Sequence, residues 1–282
     1  MKSVLLLVAS LLTGLMSYGQ VKSPALSPES ELEQMIGLTE VEIEYSRPSM
    51  REREIFGDLI PYDKLWRTGA NKNSTISVST NFEVEGKQIE KGEYAIFTKP
   101  EKKSWIVYLY ADTDNWGKPS EWDENKVVAS FEVEVSKIKP TVETFTMQFE
   151  NITTKSADLS MSWENVKISL PLSFPTDALT EASIKETMAG GEITERDYYG
   201  AATYYLNADK NLKDALSYIN KAIEMKGEEA FWYVRIKALI EYKLGMTAEA
   251  IESAKLSLEN AQKAGNDGYV KMNQESLDQW SK

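Results

Sequence analysis

The chain has 282 residues, neither histidine nor cysteine, and a formal net charge of −12. Within this chain a Ser-His-Asp triad, a cysteine nucleophile, a disulfide and any zinc site with His or Cys ligands are therefore excluded, leaving carboxylates, Lys, Tyr, Ser and Arg for chemistry and oxygen ligands for a cation. The acidic balance disfavours nucleic acid and anionic membrane faces as partners, and the length suits one large or two modest domains.

Residues 1–19 open with Lys2, continue in an apolar run from Val4 to Met16 and end in Ser17-Tyr18-Gly19. This order of charged start, apolar core and small-residue exit predicts a secretory signal peptide cleaved before Gln20. The apolar run is shorter than the roughly 20 residues of a bilayer span. No cysteine follows it, so no lipid anchor is expected either. The expectation is a periplasmic or secreted protein without a membrane anchor, its charge −13 once Lys2 has left.

From Val41 to about Phe174 the apolar period is two. Val41, Ile43 and Tyr45 alternate with glutamates, as do Phe131, Val133 and Val135. Phe145, Met147 and Phe149 repeat the pattern, followed by the runs Leu159–Trp163 and Val166–Leu172. Strands with one buried and one wet face belong to antiparallel sheets. Trp105–Tyr110 is apolar on both faces and reads as a central strand, while Phe82–Ile89 reads as a hairpin turning at Glu85-Gly86-Lys87 and leading to a strand over Glu93–Thr98. Roughly eight to ten such strands predict an antiparallel β-sandwich, placed at residues 25–175.

Residues 176–194 read as a linker with one helix, Asp177–Met188, stopped by Gly190-Gly191. From Glu195 to the end the period is helical, with helices expected at Glu195–Leu206, Leu212–Lys226, Glu228–Leu244, Thr247–Ala264 and Asn266–Trp280. Asp214-Ala215-Leu216 with Ala222 is echoed by Glu249-Ala250-Ile251 with Ser257, an offset of about 35 residues that suits a tetratricopeptide-type repeat. The first copy lacks the glycine that the second has at Gly245, and neither ends in proline, so a plain helical bundle is the alternative. The fold class is thus α+β and multidomain: an antiparallel β-sandwich followed by an all-α, tetratricopeptide-like domain over residues 195–282.

One stretch departs from both periods. Tyr45–Asn71 contains Tyr45-Ser46-Arg47-Pro48-Ser49, Ile55-Phe56-Gly57, Pro61-Tyr62 and Trp66-Arg67-Thr68-Gly69-Ala70-Asn71, with four of the chain's six arginines. Together with Gly92-Glu93-Tyr94, Phe97-Thr98-Lys99-Pro100 and Asn115-Trp116-Gly117, these blocks resemble those of a bacterial family of secreted proteins catalogued as domain of unknown function 2911. The resemblance runs from about Ser30 to Ser173. It implies a compartment outside the cytoplasm and supplies no reaction.

Candidate site residues come from this stretch and its neighbours. Lysines outnumber arginines 26 to 6, and the planar guanidinium fork suits carboxylate or phosphate recognition, so Arg47 and Arg67 lead. The same fork suits an internal carboxylate that pins a loop; this structural role is favoured for Arg67, with Arg47 more open. Arg51 and Arg53 sit in an acidic segment and read as solvated. Tyr45, Tyr62, Trp66, Trp105 and Trp116 could line a recognition groove or close the end of a sandwich core. Asn71 completes the candidates as a turn or cap residue. Asp112-Thr113-Asp114-Asn115 opens like a calcium loop, yet Trp116 occupies a ligand position and the final Glu is absent, so a polar turn is expected. No carboxylate pair stands out for acid–base work, and no catalytic residue, cofactor or metal is expected. The expectation is a noncatalytic binding or adaptor protein for an unknown small molecule, protein or peptide. The alternative is a carboxylate-dependent hydrolase of cell-envelope glycans or related material.

Overall fold

The computed structural model describes residues 23–282, so the leader expected at residues 1–19 lies outside the described residues. The chain divides into two units, one ending at Phe174 and the other running Pro175–Lys282.

The first unit is built from β1 (Glu29–Ile36), β2 (Thr39–Ser46), β3 (Ser74–Val78), β4 (Phe82–Val84), β5 (Lys87–Ile89), β6 (Gly92–Pro100), β7 (Ser104–Tyr110), β8 (Val127–Glu134), β9 (Ser136–Glu150) and β10 (Ser156–Ser173). They form a six-stranded sheet, β1-β2-β3-β6-β7-β8, and a four-stranded sheet, β5-β4-β10-β9, with every strand pair antiparallel. The two-residue period does the sorting. Val41, Ile43 and Tyr45 turn inward and are buried while Glu40 and Glu44 face water. Ile43, Ile76 and Val107 of one sheet share a single core with Phe145, Met161 and Leu170 of the other, which makes the unit a sandwich.

Several details differ from the sequence expectation. β7 is an interior strand, as read in the sequence, though it lies one strand from the edge, between β6 and β8. Its outer face is apolar because Phe97, Tyr110 and Trp122 form a second, smaller cluster there, Trp122 stacking on Tyr110 at 4.5 Å. The two runs at Leu159–Trp163 and Val166–Leu172 are one strand, β10. The period breaks between them because the register with β9 shifts on both sides of Glu164, which has φ 57°. β1 and β3 are absent from the strands read in the sequence. β3, Ser74-Thr75-Ile76-Ser77-Val78, is short and mostly polar, yet nearly all of it is buried between β2 and β6.

The second unit holds α1 (Thr176–Ala189), α2 (Glu195–Asn207), α3 (Leu212–Lys226), α4 (Phe231–Lys243), α5 (Thr247–Lys263) and α6 (Asp267–Trp280). α2 opens with a reciprocal capping box between Thr194 and Asp197. α1 belongs to this unit, its Ile184 joining the core of α2, α3 and α4. Only Thr176 and Ile184 of α1 are buried, so its apolar stripe is too thin to show that attachment in the sequence. Each helix packs on the next. Ala215, Ala222, Ala238, Ala250 and Ser257 are fully buried at these contacts, as the small-residue spacing requires, and the arrangement is tetratricopeptide-like. Among the described residues no helix is long and apolar enough to cross a membrane.

Candidate functional site

The Arg47–Asn71 stretch is the connection from β2 to β3, and it is tied to both sheets. Met50 N–H donates to Glu143 O at 2.8 Å and Phe145 N–H to Pro48 O at 2.9 Å, fastening one end to β9. Trp66 and Thr98 exchange backbone bonds of 2.7 and 2.9 Å, fastening the other end to β6. Between these anchors the loop drops Phe56 and Trp66 into the core. Trp66 stacks on Trp163 at 5.9 Å and 21°, and Phe56 lies 4.9 Å from Trp105. Its aromatics therefore belong to the sandwich interior, which explains why an irregular segment is held so firmly.

The backbone is strained where it turns back. Arg51, Glu52, Asp63, Thr68 and Asn71 are half of the ten non-glycine residues with positive φ among the described residues. Each costs on the order of 1 kcal/mol and persists only where the surroundings impose it. Here Ser74 Oγ donates to Thr68 O at 2.7 Å and Trp66 Nε1 to Gly69 O at 3.1 Å. Gly69 has φ +150°, and a Cβ there would stand 2.9 Å from Ser46 O, so the turn requires glycine.

This turn borders a cavity of about 650 Å3. Its walls present five cations, Arg51, Arg53, Lys64, Arg67 and Lys118, and no Asp or Glu. Trp66 and Trp163 line it below, and Leu26 and Ser27 of the incoming chain line one side. The guanidiniums are oriented without being neutralised. Arg51 Nη2 donates to Leu26 O at 2.6 Å, and Arg53 donates from Nε and Nη2 to Met50 O and Ser49 O at 2.8 and 2.6 Å. The carboxylate of Glu143 accepts from the backbone amide of Arg51 at 2.9 Å, not from its side chain. Arg67 is the most exceptional: its Nε is buried with no hydrogen-bond partner, and its Nη1 would be 3.4 Å from a Cβ on Gly117. Among the described residues none of the five is paired with a carboxylate within 4.0 Å.

Of the sequence candidates, the structure brings Trp66, Arg67 and Asn71 to this cavity. Arg47 donates from Nε to Phe145 O at 3.1 Å and from Nη2 to Thr146 Oγ1 at 2.8 Å. The Tyr45 hydroxyl donates to Met147 O at 3.2 Å and accepts from Met147 N–H at 3.0 Å. These two residues staple β2 to β9 and do not line the cavity. Tyr62 lies in a separate depression with Asp63 and Lys102, where burial raises the pKa of its hydroxyl. Trp116 is 83% exposed and outside the lining, although Lys118, two residues on, is part of it. Among the described residues no carboxylate pairs with Arg67, while Arg51 and Arg53 are exposed, as expected, and also stand in the cavity wall. The missed residues, Lys64 and Lys118 included, carry one faint signal: they crowd beside the Trp66–Asn71 and Asn115–Gly117 blocks in an otherwise acidic chain.

The Asp112–Gly117 segment is the expected polar turn. Asp112 is paired with Lys126 at 2.7 Å, which lowers its pKa, and Asn73 holds the turn through Asn115 N–H at 2.8 Å and Thr113 O at 3.0 Å. Among the described residues no group of three or more acidic, His or Cys side chains is arranged to hold a metal ion.

A family model described as "Protein of unknown function (DUF2911)" matches residues 27–172. The chain belongs to this family. The DUF2911 match spans the strands from β1 almost to the end of β10 and takes in every residue lining the cavity except Leu26, and it stops before the helices. No curated protein and no solved structure matches the chain.

Proposed function

We propose that this chain is a noncatalytic binding protein acting outside the cytoplasm, whose DUF2911 unit takes a small ligand into the cavity above Trp66 and Trp163. The observation that carries this is Arg67. A buried donor of a charged group without a partner costs about 1–3 kcal/mol or more, and an acceptor on a ligand would remove that cost. The cavity's volume lies within the range of small-molecule sites. A carboxylate-dependent hydrolase needs two converging carboxylates, and the lining among the described residues contains none. The tetratricopeptide-like unit carries the adaptor side of the proposal, since stacked helical repeats of this kind present extended surfaces to peptides.

The test is a thermal-shift screen of small metabolites and cell-envelope fragments against the wild type and Arg67→Ala. A ligand that raises the wild-type melting temperature and leaves the variant unmoved supports the proposal; equal shifts in both would reject the cavity as the site. The compartment follows from the leader. Cell fractionation should recover the protein outside the cytoplasm with Gln20 as its first residue, and an exported chain that retains Met1 would refute the cleavage.

A further inference from the structure

Building on the binding proposal, we infer that the ligand is a compact oxyanion carrying two or more negative charges on an apolar body. The first ground is the balance of donors and acceptors. Lys and Arg side chains donate and never accept, and five of them face the cavity. Three lining carbonyls are already engaged by side-chain donors: Ser49 O by Arg53, Gly69 O by Trp66 and Ser27 O by Asn71. A neutral sugar is bound best where carboxylates accept its hydroxyl protons, and the lining holds none among the described residues. Carboxylate or phosphate oxygens, which only accept, match the lining.

The second ground is charge. A monoanion would leave most of five positive charges without a counterion, in a site where one guanidinium Nε is already buried and unpartnered. The chain as a whole carries a net charge of −12 and repels anions, so these cations form a local exception in a repelling field. Two guanidiniums fixed by carbonyls at 2.6–2.8 Å are also preorganised, which favours bidentate capture of an oxyanion.

The third ground is the floor. Both indole N–H groups point away from a ligand, Trp66 Nε1 donating to Gly69 O and Trp163 Nε1 to Glu143 O, each at 3.1 Å. The two indoles, 6% and 1% exposed, offer the cavity only a small carbon surface. Leu26 and Leu59, 73% and 41% exposed, add apolar surface at the mouth. An inorganic ion would leave the two leucines wet; a ring or short acyl body would cover them.

Isothermal titration of the full chain with trimesate, naphthyl phosphate, inorganic phosphate and maltose tests this. Trimesate and naphthyl phosphate should bind, whichever is tighter showing whether carboxylate or phosphate is preferred. Inorganic phosphate should bind about tenfold more weakly or less, and maltose should give no heat. Arg67→Ala should weaken the two organic anions about ten- to hundred-fold with an unchanged circular dichroism spectrum. Lys118→Ala, at an exposed position, keeps the test available if Arg67→Ala does not fold. Inorganic phosphate binding as tightly as naphthyl phosphate would overturn the apolar body. Maltose binding in an Arg67-dependent way would overturn the oxyanion and leave the binding proposal standing. No binding of any of the four to the folded protein would overturn the inference outright.

Discussion

Tyr45→Phe removes one oxygen and tests how the two sheets are joined. The Tyr45 ring is 5% exposed and packs edge-on against Phe145 at 5.9 Å, a contact that phenylalanine keeps. The hydroxyl, in contrast, serves both backbone groups of Met147, which is 3% exposed on the edge strand β9. Its loss leaves one buried N–H and one buried C=O unpaired. At about 1–3 kcal/mol for each unsatisfied group the sum is about 2–4 kcal/mol, because an edge strand admits some water. For a unit of this size that corresponds to a fall of roughly 5–15 °C in melting temperature. Differential scanning calorimetry of the full chain is the assay, and only the transition of the β unit should move. A fall of less than about 2 °C would show that the hydroxyl is not what satisfies Met147, and the stapling role assigned to Tyr45 and Arg47 would fail with it.

Three other outcomes are expected. In the β1–β2 ladder Glu31 stands opposite Glu44 and Glu33 opposite Glu42, and the pKa of Glu42 is raised above its ordinary 4.5 by desolvation and then by Glu31. A carboxyl held higher in the folded than in the unfolded state lowers stability as pH rises through the folded value. Glu42→Gln should therefore melt higher than the wild type at neutral pH, and the gap should close as pH falls through Glu42's raised pKa; a constant gap would point to packing instead. In the helical unit, fully buried Asn273 accepts from Arg235 Nη1 at 3.0 Å and donates to Ser257 Oγ and Tyr269 O, each at 2.9 Å. Asn273→Ala should cost about 2–3 kcal/mol in chemical unfolding of that unit, and an unchanged midpoint would show that water replaces the amide. A fragment of residues 23–174 should fold alone with a β-type circular dichroism spectrum, since its core is shared between its own two sheets. Aggregation of that fragment unless the helices are restored would contradict the division.

The parts of the fold that repeat were legible and the parts that depend on long-range contacts were not. Val41-Glu42-Ile43-Glu44-Tyr45 states its own alternation, and Ala215, Ala222, Ala250 and Ser257 state where helices approach closely. β3 could not be read because its serines and threonine are buried by neighbouring strands, not by their own polarity. Glu164 hid the continuity of β10, since a bulge resets the period. The site was legible only as a region. Scarcity of arginine and turn-rich blocks pointed to Tyr45–Asn71, but the division of labour within it is set by partners about a hundred residues away. Tyr45 near the end of β2 and Arg47 just beyond it meet the backbone of β9, whereas Arg67, in the same kind of sequence context, keeps a buried Nε without a partner among the described residues. Lys118 joins the cavity through a turn pinned by Asn73, a contact no local pattern announces.

The central claim is that Arg67 serves a ligand and not the fold. Thermal unfolding of the wild type and Arg67→Ala, each with and without naphthyl phosphate, tests it in a single set of melts. The account predicts that without the anion the variant melts at or above the wild-type temperature, because no carboxylate is left unpaired, and that only the wild type gains stability when the anion is added. A variant that melts several degrees lower on its own, yet gains as much from the anion as the wild type, would contradict it.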